Sequence, residues 1–266
     1  MKLHFITLAL DAQPYIAHHI NQFNQLPFDW DWSITEGVAK PFKDTGWCKD
    51  IPARLSNDGT HNYLRELSSY HPKVAFHWRD EWPGKTAMLN YALQFLKGDG
   101  LLMQIDADEL WTTEQLVKIY QMFKHSPRFQ WAEFYCRYLL GANVEAITPG
   151  CYGNNPGEWK RVWRWREGQM FDRHEPPILE DINYQTMPGF DRDCTKQFGL
   201  VFWHPAYALE KTLAFKGAYY GYTDALAQWK RLQKDAADPA VKFPRPVSEY
   251  LKWVTDGAMC DRVVNI

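Results

Sequence analysis

The first half of the chain alternates between strand-like and helix-like patterns of hydrophobic positions. Apolar runs predict four strands, over Leu3–Leu10, Trp30–Ile34, Val74–Trp78 and Leu101–Ile105. Apolar residues spaced three and four apart predict helices over 15–23, 60–67, 85–96 and 112–124. This order of strands and helices is typical of an α/β fold with a doubly wound, mostly parallel sheet.

The second half is less regular and richer in turn residues. The patterns predict strands over 129–138, 161–166 and 200–203, a helix over 209–222, and loops over 149–158 and 174–194. From residue 223 the sequence is mostly polar and helical, with breaks at Pro244 and Pro246. We therefore predict one domain made of two halves, 1–128 and 129–222, with a helical C-terminal extension over 223–266.

Acidic side chains follow the predicted strands. Ligands of a parallel sheet bind beyond the carboxyl ends of its strands, so a cluster is expected there. The polar residues that follow the four strands are Asp11, Glu36, Arg79-Asp80 and Asp106-Ala107-Asp108-Glu109.

Asp106 and Asp108 form the most informative motif. In extended backbone they lie on one face, where two carboxylates repel each other unless a cation lies between them. Mg²⁺ and Mn²⁺ prefer carboxylates together with substrate phosphates. Since the pair directly follows a run of buried-type residues, we interpret it as a metal site rather than as an exposed acidic turn.

Composition and charge argue against several classes of protein. Net charge is -2, which argues against a partner with a phosphate backbone such as nucleic acid. There is no apolar run of membrane-spanning length, and the five cysteines are scattered, so we predict a reduced cytoplasmic protein without a cysteine zinc site. Aromatic residues make up 16% of the chain, which fits stacking on sugars or bases as well as core packing.

The segments Pro83–Leu93 and Gly98–Glu109 resemble family 2 glycosyltransferases of the GT-A fold. The resemblance implies a nucleoside diphosphate sugar donor with Mn²⁺ or Mg²⁺ on its diphosphate, and UDP as the default nucleotide. It implies that Asp106 contacts ribose or metal, that Asp108 ligates the metal, and that Glu36 contacts the nucleoside. Asp11-Ala12-Gln13 replaces the usual Asn-Glu after the first strand, and we assign Asp11 to the nucleoside as well.

The resemblance also suggests roles in the second half. His174-Glu175 is similar to a His-Glu pair of some bacterial members, and Glu175 is our candidate general base, with Asp172 and Asp181 as runners-up. His204, after a predicted strand, is a candidate third metal ligand. Three lysines complete the set of candidates for diphosphate binding: Lys85, which could instead pair with a carboxylate, Lys211 and Lys216.

The hypothesis is therefore a metal-dependent, inverting glycosyltransferase that acts in glycan or surface polysaccharide synthesis. Residues 1–128 would bind the donor and 129–222 a saccharide or glycolipid acceptor, which leaves peripheral membrane association through a lipid-linked acceptor open. Two alternatives stay open, a nucleotide-sugar nucleotidyltransferase or hydrolase and a non-catalytic carbohydrate-binding protein. We expect one group of tryptophans to frame the donor pocket (Trp30, Trp32, Trp78, Trp111) and a second to lie in the acceptor half (Trp131, Trp159, Trp163, Trp165, Trp203).

Overall fold

Strands and helices alternate through residue 125, as predicted. The computed structural model describes residues 1–146, 159–205, 207–246, 249–251 and 262–265. The strands of this part are β1 (Lys2–Ala9), β2 (Trp30–Ala39), β3 (Val74–Trp82) and β4 (Gly100–Gln104). The helices are α1 (Ile16–Phe23), α2 (Thr60–Tyr70), α3 (Lys85–Leu93) and α4 (Thr113–His125). β2 and β3 run beyond the predicted ends because their backbones stay paired past the last apolar run.

The second half contributes shorter elements. The strands are β5 (Trp131–Glu133), β6 (Tyr135–Gly141), β7 (Val144–Ala146), β8 (Lys160–Trp165), β9 (Phe171–Arg173), β10 (Ile178–Leu179), β11 (Gly189–Phe190), β12 (Val201–His204), β13 (Arg245–Pro246) and β14 (Arg262–Asn265). The helices are α5 (Arg192–Gln197), α6 (Glu210–Tyr220) and α7 (Ala225–Ala237).

A seven-stranded sheet in the order β11-β5-β8-β4-β1-β2-β3 organises the described chain. β4, β1, β2 and β3 are parallel, whereas β8 runs antiparallel to both of its neighbours. A second, mixed sheet has the order β12-β6-β7-β14-β13. The predicted α/β class, with a large mostly parallel sheet and a smaller mixed one, is confirmed.

Apolar side chains are packed on both faces of the large sheet. β1 alternates, so that Phe5 packs with the α1 and α4 side and Ile6 packs with Leu89 of α3. Leu101, Leu102 and Met103 of β4 are fully buried, which is typical of a central strand covered on both faces. The carboxyl ends of the parallel strands therefore open at one edge, between the helices of the two faces.

Three expectations for the second half are wrong in detail. The predicted strand over 129–138 is two strands in different sheets, with Phe134 between β5 and β6. The predicted loop over 174–194 contains β10, β11 and the start of α5. The tail is not only helical, because β13 and β14 follow α7 and extend the second sheet. Short strands lack the sequence period that would reveal them.

The predicted loop over 149–158 lies outside the described residues. The division at residue 128 falls between α4 and β5, and the domain boundaries stay a prediction. Cys48, Cys136 and Cys194 are free thiols. In the described parts of the chain, no helix combines the length and the apolar character needed to cross a membrane.

Candidate active site

A cavity of about 1050 Å³ lies at the carboxyl ends of the parallel strands. Its walls come from the segments after β1 and β4, the start of α3, the turn between β9 and β10, and α6. Its size is that of a pocket for an organic ligand of nucleotide dimensions. It brings together most of the residues predicted from the sequence: Asp11, Lys85, Asp106, Asp108, Glu175, His204 and Lys216.

Asp108 is held from two directions. Lys216 Nζ lies 2.7 Å from its Oδ2, and His204 Nε2 lies 3.5 Å from its Oδ1. Burial works to raise the pKa of Asp108, but the charge of Lys216 and the contact with His204 outweigh it and hold that pKa well below its usual range. Asp108 is thus ionised, and its positively charged partner in this structure is Lys216.

Asp106 belongs to a second network, with residues that the sequence did not single out. Its Oδ1 accepts a hydrogen bond of 3.0 Å from the Gln104 amide, and its Oδ2 lies 3.4 Å from Arg161 Nη2. Burial tends to raise the pKa of Asp106, yet the guanidinium brings it below its usual value. Arg161 Nε also donates to Glu109 Oε1 at 2.8 Å. Arg161 therefore fixes the backbone turn that carries both aspartates.

Glu109 is enclosed within this network and does not line the cavity. Burial raises its pKa to about 8 against the opposing charge of Arg161. The last acid of the sequence motif is therefore structural, because it supports the loop from behind.

His204 ends β12, where it is nine-tenths buried. Burial lowers its pKa, so the ring is neutral near pH 7 and has a lone pair for a cation or a proton. In the described part of the chain its Nδ1 has no hydrogen-bond partner. Tyr138 and Trp159 meet its ring edge-on and fix its orientation.

Glu175 lies at the α3 side of the cavity, in the turn between β9 and β10. Its Oε1 is 3.4 Å from Lys85 Nζ and 3.6 Å from His174 Nδ1. Burial, followed by the positive charge of Lys85, lowers the pKa of His174 to about 4. Lys85 thus pairs with a carboxylate, one of the two roles predicted for it. The runner-up bases Asp172 and Asp181 do not line the cavity.

Asp11, which follows β1, is held by the segment that precedes α2. The Arg54 guanidinium and the backbone N–H of Asn57 both donate to its carboxylate. Beside it, Asp58 accepts from the backbone N–H of Gln13 at 2.9 Å and lies 3.7 Å from Lys211 Nζ. This end of the cavity is lined by fixed polar groups.

Of the site residues predicted from the sequence, the runner-up bases aside, Glu36 alone lies outside the cavity lining. It is fully buried on β2, where it accepts from Ser56 N–H at 3.0 Å and pairs with His61 Nδ1 at 2.6 Å. The assigned contact with the nucleoside stays a prediction that the geometry does not favour, since Glu36 is fully buried and does not reach the cavity wall.

The prediction that Trp30, Trp32, Trp78 and Trp111 frame the donor pocket is wrong, because none of them lines the cavity. Trp30, Trp32, Trp111, Trp163 and Trp165 are core residues, at most 3% exposed. Of the nine tryptophans assigned from the sequence to the donor pocket or the acceptor half, Trp159 alone lines the cavity. A further tryptophan in the irregular segment before α2, Trp47, does so as well, together with Tyr219 and Tyr220 of α6. The aromatic Tyr219-Tyr220-Gly221-Tyr222 run was the available signal for this wall.

The donor set at Asp106, Asp108 and His204 suits a hard divalent cation by its chemistry, with two carboxylates and a neutral imidazole on the same cavity. Lys216 and Arg161 now provide the positive charge that these carboxylates need. Within the described ranges no three His, Cys, Asp or Glu side chains are already drawn together as a metal cluster. A bound cation would therefore draw Asp108 away from Lys216.

Comparison with known proteins gives one decisive match. The family model described as glycosyl transferase family 2 matches residues 55–199, more than half of the chain. A search of curated protein sequences finds no match.

Several solved structures are similar in fold at low identity. TarS 1–349 of S. aureus in complex with UDP is 14% identical with a TM-score of 0.42, and the match covers 62% of this chain and 47% of that one. This chain thus spans about half of that structure. The mannosyltransferase PcManGT from Pyrobaculum calidifontis, in complex with GDP-Man and Mn²⁺, is 14% identical with a TM-score of 0.48, covering 91% of this chain and 76% of that one. From the family match, which includes α3, the Asp106–Glu109 motif and the His174-Glu175 pair, we conclude that the chain belongs to glycosyl transferase family 2.

Proposed function

We propose that the protein transfers a sugar from a nucleoside diphosphate sugar, with UDP as the first nucleotide to test, to an acceptor hydroxyl with inversion at the anomeric carbon. One observation carries the proposal. One cavity at the carboxyl ends of the strands holds the Asp106–Asp108 pair, Lys216 beside it and a further carboxylate, Glu175. The donor diphosphate needs positive charge to offset its own, and the acceptor hydroxyl needs a base to take its proton. The two groups must act at separate positions.

Asp106, Asp108 and His204 are the residues that would hold Mn²⁺ or Mg²⁺. When bound, the cation would neutralise charge on the diphosphate, so that the leaving group needs no proton. Lys216 would then be free to contact the same diphosphate, because its ammonium is already at this end of the cavity.

Glu175 is the proposed general base. The acceptor oxygen forms a bond to the anomeric carbon while the bond to the diphosphate oxygen breaks and its electron pair leaves with the nucleotide. The acceptor proton moves to a Glu175 oxygen. Lys85 Nζ, 3.4 Å away, holds that carboxylate in place. Attack from the face opposite the leaving group accounts for inversion.

The nucleoside would bind at the α1 and α2 side. Asp11 is at that end, with Asn57 and Asp58 beside it. Their positions are fixed by backbone hydrogen bonds, so they offer preorganised acceptors for ribose hydroxyls or a base. Glu36 would support this end through Ser56, from behind the cavity wall.

Thermal shift against a panel of nucleotide sugars, with and without Mn²⁺, tests the proposal. A ligand at 100 times its Kd stabilises the fold by about 2.7 kcal/mol. We expect a shift from at least one nucleoside diphosphate sugar that is larger with Mn²⁺. If no nucleoside diphosphate shifts the protein in either condition, the proposal fails.

The base is tested separately with Glu175→Gln. Loss of a general base typically lowers rates by about 10²–10⁴-fold. We expect transfer to fall in that range while the donor-induced thermal shift is kept. Asp181→Asn, an exposed acid outside the cavity, is the matched control and should transfer at the wild-type rate. Unchanged turnover in Glu175→Gln would remove the residue from this role.

A further inference from the structure

Trp47 and Tyr220 form an aromatic shelf in the wall of the cavity. Trp47 is 49% exposed, and its ring centroid lies 5.1 Å from that of Tyr220 with 32° between the ring planes. Both residues line the cavity. A tryptophan left half exposed beside a tyrosine gives a large apolar surface that a ligand ring can cover.

Backbone contacts fix the shelf in place. The N–H of Lys49 donates to the carbonyl of Tyr219 at 2.7 Å, and the Tyr219 hydroxyl donates to the carbonyl of Ala39 at 2.9 Å. Gly221 has a φ of 72°, and a Cβ there would lie 2.3 Å from Lys49 Cε. Glycine suits this left-handed C-cap of α6, and the hydrogen bond from Lys49 N–H holds the segment that carries Trp47 against the helix end.

The shelf adjoins the proposed base. Lys85 Nζ lies 5.5 Å from the centroid of the Tyr220 ring and 3.4 Å from Glu175 Oε1. One lysine thus links the aromatic surface to the carboxylate that would take the acceptor proton. Asp11 and Asp58 hydrogen-bond instead with the segments around α1 and α2.

We propose that the Trp47–Tyr220 shelf is the acceptor subsite and that it binds a pyranose ring by stacking, with one hydroxyl directed to Glu175. This inference rests on the proposed function, which it deepens by naming a saccharide as the acceptor. A pyranose presents C–H groups on one face, which pack on aromatic rings, and hydroxyls around its edge, which need polar partners. Lys85 and Glu175 are such partners at the edge of the shelf.

A nucleobase also stacks on aromatic rings, so the test must separate the two ligands. The probes are the methyl glycosides of glucose, galactose, mannose and N-acetylglucosamine, added to the full chain with UDP and Mn²⁺ and followed by saturation-transfer NMR. We expect at least one glycoside to bind, and Trp47→Ala to weaken it at least tenfold. The affinity for UDP, measured from its thermal shift, should change less than twofold.

Trp78→Ala is the matched control, because Trp78 is 46% exposed and does not line the cavity. It should bind the glycosides as the wild type does. Trp47→Phe keeps an aromatic face and should restore most of the binding, which separates stacking from a folding defect.

Several outcomes would overturn the inference. These are no glycoside binding to the wild type, equal losses in Trp47→Ala and Trp78→Ala, or a loss of UDP binding in Trp47→Ala with glycoside binding intact. The last result would assign the shelf to the nucleobase. In each case a nucleotide-sugar thermal shift in the wild type would leave the proposed transferase activity standing, so the two hypotheses fail separately.

Discussion

The ends of β2 and β4 lie close together in the large sheet, yet their carboxylates are used differently. Glu36 lies within β2, which stays paired with β3 as far as Ala39, and its side chain faces α2. Asp106 and Asp108 come after β4 has ended at Gln104. The first carboxylate is enclosed by its own fold, whereas the second two line a cavity.

The difference arises from a local backbone feature. The pairing register of β2 with β3 shifts between Glu36 and Val38. Gly37, which lies between these residues, has a φ of 134°. A Cβ at Gly37 would lie 1.8 Å from the Arg79 carbonyl oxygen, so the two strands approach closely only because residue 37 is a glycine. Pairing thus continues past Glu36 and closes that strand end. A charged residue near a strand end reaches a ligand when the backbone pairing stops before it.

Asp108→Asn gives the largest effect expected from this comparison. It removes the charge that Lys216 and the proposed cation share, so we expect the Mn²⁺-dependent part of the donor thermal shift to vanish. Transfer should fall more than the 10–100-fold that is typical when an outer-shell partner of a metal is lost. Thermal shift and transfer rate measure the two effects.

The control for Asp108→Asn is Asp172→Asn, an exposed acid on β9 outside the cavity. It should leave both measurements unchanged. A metal-dependent shift that persists in Asp108→Asn would show that the β4 end does not hold the cation.

Acid sensitivity should come from buried His174, whose charged form would interact with Asp106 at the β4 end. The folded pKa of His174 is about 4, below its ordinary 6.5. The unfolded chain therefore binds this proton first as pH falls, and stability decreases from about pH 6.5 to about pH 4. At about 1.4 kcal/mol per pKa unit, the loss is at most about 3 kcal/mol. His174→Gln should flatten that part of the stability curve.

Urea unfolding between pH 4 and 8 measures the acid sensitivity. His125→Gln, on the exposed end of α4, is the control and should follow the wild-type curve. An unchanged slope in His174→Gln would assign the acid sensitivity to other groups, of which buried His19, with its pKa near 4, is the next to test.

Glu36→Gln distinguishes a structural from a nucleoside-binding glutamate. If Glu36 supports the fold, the variant weakens the contacts with Ser56 and His61 and lowers the free energy of unfolding by about 1–3 kcal/mol. Donor affinity should then change less than twofold. Glu66→Gln, exposed on α2, is the control for stability. A donor affinity that falls tenfold with stability unchanged would restore the nucleoside role predicted from the sequence.

Much of the fold and the centre of the site could be predicted from the sequence. The spacing of hydrophobic residues predicted the four parallel strands. The position of Asp106 and Asp108 directly after an apolar strand predicted that they lie at the carboxyl ends of the strands, where the cavity is. The continued pairing of β2 beyond Glu36 could not be predicted, because it depends on the close approach of β3 at Gly37, which no side-chain period reveals. The two-residue strands β10 and β11 are too short to show a period.

The aromatic residues show a second limit. The alternation of Trp163 and Trp165 with arginines favours core tryptophans over a sugar platform, and their burial in the core confirms this. Trp47 lies in a segment with no regular period, and its exposure depends on contacts with α6 some 170 residues away in the chain. Tertiary packing alone separates a stacking tryptophan from a core one.

Lys216→Met should give the smallest effect. It tests whether Lys216 competes with a divalent cation for Asp108. The ammonium, 2.7 Å from Asp108 Oδ2, competes with a divalent cation for that oxygen. Without nucleotide, its removal should tighten Mn²⁺ binding by up to about fivefold, the upper end of the range for an ion pair near the surface. Direct titration of Mn²⁺ by electron paramagnetic resonance measures this. Lys211→Met, more exposed and paired with Asp58, should not change it. Weaker Mn²⁺ binding in Lys216→Met would mean that the lysine orients Asp108 for the metal rather than competing with it.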